Sequence, residues 1–239
     1  MALTNDHTVK AFDEDLNRLR GLISEMGGRA EQALLQAMTA LSKGDLDLAA
    51  QVVRDDKKID ALEAEVEQLA VQTIALRAPM ADDLREMIAA LKIVSVVERI
   101  GDYAKNIAKR VALMDQTRSI EAIPLLMSMS NIVVELIHDA LDSFAARDAE
   151  LAVRVTVRDK NVDDFYNSIF RTLVTFMMEN PKYISESAHL LFVAKNLERM
   201  GDHATNIAEM CNFLVNGGPF AESRPKAAAR AAKAGENAA

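Results

Sequence analysis

ERIGDYAKNI at residues 98–107 returns as ERMGDHATNI at residues 198–207. Glutamate, arginine, glycine, aspartate, asparagine and isoleucine recur in the same order one hundred residues later. Both copies sit in stretches whose apolar spacing reads as long, half-buried helix. A ten-residue set of this kind, met twice at one separation, says that the chain is built twice.

Working outward, the rest of the chain repeats too. RDDKKID at 54–60 pairs with VRDKNVD at 157–163, an offset of 103. Pro79 pairs with Pro181, an offset of 102. SKGDLDLA pairs with AARDAELA, placing Asp45 against Asp148 as helix N-caps. The drift from 103 to 100 is what small changes in loop length produce. Three helices are predicted in each half, at roughly 8–41, 45–77 and 84–114, then 123–144, 148–178 and 186–214. Pro79 ends the second, and Asp82 or Asp83 is expected to cap the third. The expected fold is all-α, two tandem antiparallel three-helix bundles. The halves are 1–114 and 115–216, with an Ala/Lys-rich tail at 217–239 read as disordered and some freedom about residues 114–122.

Composition agrees. Half of the 239 residues are apolar, there is no tryptophan, and five prolines and nine glycines leave few turns. The net charge is −8. The last nineteen residues hold four cations against two acids, so the remainder carries −10. A body that acidic argues against nucleic acid as a partner. Cys211 is the only cysteine, which excludes an internal disulfide and fits a reducing compartment. The N-terminus has no apolar run of the signal-peptide kind, and no stretch approaches twenty uninterrupted apolar residues. Cytosolic location is expected.

A helical wheel places the repeated acids. Glu98 and Asp102 lie roughly 20° either side of the line of Leu91, and Glu198 and Asp202 bracket the line of Leu191. Asn106 and Asn206 follow one turn later. In the preceding helices Asp56, Asp60 and Glu63 share a face, as do Asp159 and Asp163, but Tyr166 stands where a third acid would be. Antiparallel packing brings the start of each second helix to the end of each third. Carboxylates on an apolar face cost several kcal/mol each unless neutralised. A metal ion with several oxygen donors is one answer. Ion pairs with Lys57, Lys58, Arg99, Lys160 or Arg199 are another and protonation a third, and spacing alone leaves metal and ion pairs both open. Gly101 and Gly201 are expected where helices approach closely. Glu135–His138 and Glu186–His189 match the Glu-x-x-His pattern of di-iron bundles, but neither lines the core with the other acids. His203, where the first half has Tyr103, is a candidate extra ligand in the second half. No phosphate loop, nucleophile arrangement or zinc spacing is present, so the chemistry is that of binding rather than catalysis.

With DKKID, DKNVD, PMADDLR and the early FDEDLNRLRGLISEMGG, the paired motifs resemble the PhoU family of phosphate-uptake regulators over roughly residues 7–215. The resemblance implies a cytosolic, non-enzymatic accessory of the phosphate ABC transporter. Such a protein would hold the phosphate-sensing histidine kinase off when phosphate is plentiful, and so repress the phosphate-starvation regulon. Its implied partners are the transporter ATPase subunit and that kinase; it would form a homodimer and meet the membrane only through partners. It also implies iron, zinc, manganese or magnesium ions at Asp56 with Asp60, Glu98 with Asp102, Asp159 with Asp163, and Glu198 with Asp202. Read from the acids alone, the alternative is a metalloenzyme or metal-storage bundle.

Overall fold

The computed structural model describes residues 3–114 and 122–218, with side chains from Phe12 onward. Six helices follow one another: α1 (Leu3–Lys43), α2 (Leu46–Arg77), α3 (Asp82–Val111), α4 (Ile123–Ala146), α5 (Ala149–Glu179) and α6 (Ile184–Asn216). A single 3-10 turn, Pro181–Tyr183, precedes α6. The expected linker freedom at 114–122 and the expected disorder of the tail fall largely outside the described residues.

Each half is a bundle in which every helix packs on the other two. The α1–α2 and α4–α5 turns are built alike. Gly44 is left-handed at φ 67° and Arg147 at φ 52°, each just after a helix end. Asp45 then accepts from the Leu48 amide, and Asp148 from the amides of Glu150 and Leu151, satisfying N–H groups that the helix start would leave orphaned. The second inter-helix turns differ. Ala78 and Ala81 both have positive φ before α3, whereas the α5–α6 turn has none. Neither Asp82 nor Asp83 caps α3: Ala81 is the cap residue, without a side-chain bond, and the two aspartates lie in the first turn. There they still favour the positive end of the helix dipole.

The bundles do not hinge on a linker; they are welded. One hydrophobic core runs through both, and α3 packs along α6 while α1 packs along α4. The α3–α6 seam is antiparallel: Arg85 lies by Gly217, Arg110 by Phe192, and Tyr103 stacks on His203 with ring centroids 5.5 Å apart. Tyr103 and His203 are the same position in the two copies, so the pseudo-twofold axis passes between their rings. On the α1–α4 side, Gly27 lets Leu141 sit against the α1 backbone: a Cβ there would fall 2.3 Å from the leucine Cδ1. The weld has an ionic clamp as well. Glu86 of α3, 1% exposed, receives Arg20 Nε at 2.7 Å and a second contact from Arg147 of the other bundle.

α4 is long and apolar enough for a membrane span, with a window hydropathy of 1.2. Here it is a core helix. Met129, Val133, Leu136, Ile137, Ala140 and Phe144 are buried, while Glu135 and His138 are exposed on the opposite face. Glu135 pairs with Arg158, and His138 lies between Glu31 and Asp142, so this Glu-x-x-His pair stays apart from the repeated acids. Glu186 is the second-half copy of Glu86, and like it is buried.

Candidate functional site

Asp56 and Asp159, the equivalent first acids of α2 and α5, are each 6% exposed. Both owe their depth to a glycine opposite. A Cβ at Gly101 would lie 2.8 Å from Ile59 Cδ1 and 3.7 Å from Asp56 Oδ1; at Gly201 it would lie 2.6 Å from Asp159 Oδ1. The glycines therefore admit an α2 or α5 carboxylate to the backbone of α3 or α6, at a helix-propensity cost of about 1 kcal/mol each. The close approach expected from the sequence is present twice.

In the first half the acids of α2 and α3 meet. Lys105 Nζ bridges Asp56 Oδ2 and Asp102 Oδ1, at 2.5 Å to each. Burial pulls the Lys105 ammonium down, but these hydrogen bonds and charges outweigh it and its pKa ends above the ordinary lysine value. Around that pair the remaining carboxylates crowd one another. Burial, then the charges of Asp102 and Glu63, push Glu98 up to about 7. Asp60 is raised by burial and by Asp56; Glu63 is raised by burial, Glu67 and Asp60. Arg99 opposes weakly, its Nε 3.8 Å from Glu98, beyond hydrogen-bond reach. Five carboxylates thus share three cations, Lys57, Arg99 and Lys105. Asn106 is exposed and Asp60 largely so, while Glu63, Glu98 and Asp102 are half-buried.

The wheel overstated how far Glu98 and Asp102 point inward. Its reference, Leu91, is itself only partly buried. The core line of α3 runs through Ile93, Val97, Ile100, Ala104 and Ile107, and the acids flank it. This position is better suited to an ion: one side packed, one side open to entry.

The second half is arranged differently. Lys195 Nζ donates to Glu198 Oε2 at 2.6 Å and lies 5.3 Å from the centre of the Tyr166 ring. Asp163 and Asp202 are partly exposed, and Asn206 approaches His203 Nδ1 at 3.4 Å. His203 is lowered by burial, which outweighs the charge of Asp202; Arg99 and Arg199 lower it further. Arg199 faces the Tyr103 ring across the seam. Among the described residues no three His, Cys, Asp or Glu side chains stand in a ready-made metal geometry in either half.

The shortest ion pairs to these acids come from two lysines outside the expected set, while Arg99 and Lys57 of that set act more weakly on Glu98 and Asp60. Lys58 pairs with Asp55, and Arg99 only grazes Glu98. Lys105 and Lys195 do the work, each three residues from an acid of the motif. Lys105 stands inside the opening stretch itself, where i, i+3 spacing from Asp102 was the available signal. Arg20 and Arg147, the partners of Glu86, carry no comparable local signal.

The PhoU domain profile matches residues 23–111 and 126–211. A relative from Zymomonas mobilis, named phosphate-specific transport system accessory protein PhoU homolog, is 54% identical over 88% of this chain and 89% of its own. One from Caulobacter vibrioides with the same name is 45% identical over 92% and 96%. The crystal structure of PhoU from Pseudomonas aeruginosa superposes with a TM-score of 0.83 at 38% identity, covering 87% of this chain and all of that one. That of the phosphate transport system regulatory protein PhoU from Streptococcus pneumoniae gives 0.82 at 25% identity. The chain belongs to the PhoU family.

Proposed function

We propose that this protein is a cytosolic accessory regulator of phosphate-specific transport, and that it represses the phosphate-starvation regulon by coupling the transporter ATPase to the phosphate-sensing histidine kinase. The observation that carries the reading is the relationship over nearly the whole chain, doubled acid motif included, to proteins named for that system. The protein acts by binding, without turnover, and reaches the membrane through its partners. Deleting the gene tests this. Expression of phosphate-starvation genes should rise in phosphate-rich medium; unchanged expression there would contradict the proposal.

The acids are proposed to hold divalent or trivalent metal ions, with iron, zinc, manganese and magnesium as candidates. The charge of the first-half residues, rather than a ready-made ligand geometry, supports this reading. Their negative charge exceeds their cations, burial and then the neighbouring Asp102 and Glu63 drive Glu98 up to about 7, and an ammonium already stands between Asp56 and Asp102. Asp56, Asp60, Glu63, Glu98 and Asp102 would hold the ion, and Lys105 would compete with it. Asp159, Asp163, Glu198 and Asp202, with Asn206 beside them, would form the weaker second site, lacking the acid that Tyr166 replaces. A bound metal would supply fixed positive charge that rigidifies the end of each bundle for partner recognition. A dimer is proposed from the family resemblance alone.

A further inference from the structure

The pseudo-symmetry is broken on one surface. In the second bundle Tyr166 and Phe170 stand one turn apart on α5, ring centroids 6.3 Å apart. On α6, Phe192 lies one turn before Lys195, and Lys195 reaches over the Tyr166 ring. Phe170 is 45% exposed and Phe192 56%. Arg110 of α3 stacks on Phe192 at 4.1 Å from its centroid. The first-bundle counterparts of Tyr166, Phe170 and Phe192 are Glu63, Glu67 and Lys92. Three charged positions on one face have thus become three aromatic ones.

The charge around them changes with them. Residues 62–97 carry six acids and three bases; the equivalent residues 165–197 carry two acids and three bases, and one of those acids, Glu186, is buried. An acidic molecule thus exposes aromatic side chains along a stretch of α5 and α6 that has few acids, in which Lys195 is paired with Glu198. Half-exposed rings stacked under arginine and lysine have the composition of binding hot spots.

We propose that the α5–α6 face around Phe170 and Phe192 docks an amphipathic helix of a partner protein, one with apolar anchors three and four residues apart flanked by aspartate and glutamate. Arg110, stacked on Phe192, selects the acidic flanks together with Arg171 and Lys182 of the same stretch. A second copy of this chain is disfavoured because a twofold contact would set those cations against themselves. An anionic membrane is disfavoured by the −10 charge of the body outside the tail. This surface gives the adaptor reading its contact face and rests on it, but gene deletion and the following test succeed or fail separately.

The full-length protein, carrying p-benzoylphenylalanine at Phe170 or Phe192, is irradiated in its own cell, and the attached peptide is sequenced by mass spectrometry. Proteins carrying the probe at Glu67 or Lys92 are the matched controls. The proposal predicts about tenfold more adduct from the second-bundle positions, on one acidic amphipathic segment, and loss of most of it with Arg171→Glu/Lys182→Glu. Adducts on lipid, on a second copy of this chain or on a segment without acids would overturn it, as would yields no higher than those of the controls. Either probe position decides alone, so a fold defect at one leaves the other.

Discussion

The two acid sites began as one design and now solve the same electrostatic problem in opposite ways. In the first bundle the lysine stands after the motif: Lys105 reaches back to Asp56 and Asp102, and leaves Glu98 uncompensated. In the second the lysine stands before it: Lys195 serves Glu198, and Thr205, at the Lys105 position, donates instead to the Asp202 carbonyl. Ser95 holds the place that Lys195 has in the other copy. Moving one cation by about three turns of helix leaves Glu98 crowded by acids in one copy and pairs its counterpart Glu198 in the other. The difference teaches that duplicated backbone geometry does not duplicate function. The first site retains the charge excess on which the proposed cation depends, and the second has an aromatic residue, Tyr166, in place of one acid.

The comparison is broken most severely by removing the lysines. Lys105→Met leaves Asp56 buried without its cation and should cost about 2–4 kcal/mol. Lys195→Met removes a half-exposed pair and should cost under about 1 kcal/mol. Urea unfolding of both variants, in chelator, checks the ratio; equal losses would mean that the two lysines are equivalent.

The glycines come next. Gly201→Ala pushes a Cβ onto a carboxylate oxygen held in the core and should destabilise by about 2 kcal/mol. Gly101→Ala meets only the tip of Ile59 first, which can turn away, and the gain of about 1 kcal/mol in helix propensity offsets much of the strain. Thermal melting should therefore separate the two alanine variants by several degrees, in that order.

A smaller effect, with a distinctive pH signature, concerns Glu98. Its folded pKa of about 7 lies above the ordinary 4.5, so folding favours the protonated carboxyl. The stability this gives is complete below pH 4.5 and is lost as pH rises through 7. Glu98→Gln should consequently stabilise the metal-free protein at pH 8 by about 1–2 kcal/mol, after allowance for solvent screening, and should change nothing at pH 4. Glu198→Gln should instead lose the Lys195 pair, at about 0.5 kcal/mol. A stability loss for Glu98→Gln at pH 8 would show that an unrecognised cation pairs with it.

Most of the fold was legible because duplication supplies its own check. Asp45 and Asp148, the two turns and the six helices could each be read twice, and their agreement fixed the helix order. The weld between bundles was not legible. Gly27 under Leu141, the Tyr103–His203 stack and the Arg20–Glu86–Arg147 clamp are long-range contacts, and no local periodicity encodes them. The acids of the site were readable from spacing, but their burial was misjudged because Leu91 was mistaken for the core line. Lys105 and Lys195 were missed for a related reason. The nearest cations in sequence, Lys57, Lys58 and Arg99, drew the pairing, and Lys105 and Lys195, three residues from Asp102 and Glu198, were passed over. The aromatic face appeared only when Tyr166 was joined to Phe170 and Phe192 by the α5–α6 register.

The decisive measurement is the shift in melting temperature caused by manganese, zinc or ferrous iron, relative to chelator, in wild type, Glu98→Gln/Asp102→Asn and Glu198→Gln/Asp202→Asn. An ion bound only by the folded state stabilises it by about 2.7 kcal/mol at a hundredfold excess over its dissociation constant. A cation site centred on the first bundle predicts that wild type gains this shift, that the first double variant loses most of it, and that the second keeps most of it. Equal shifts in all three proteins, or no shift in any, would contradict a metal site at these acids and leave Lys105 and Lys195 as their permanent counter-ions.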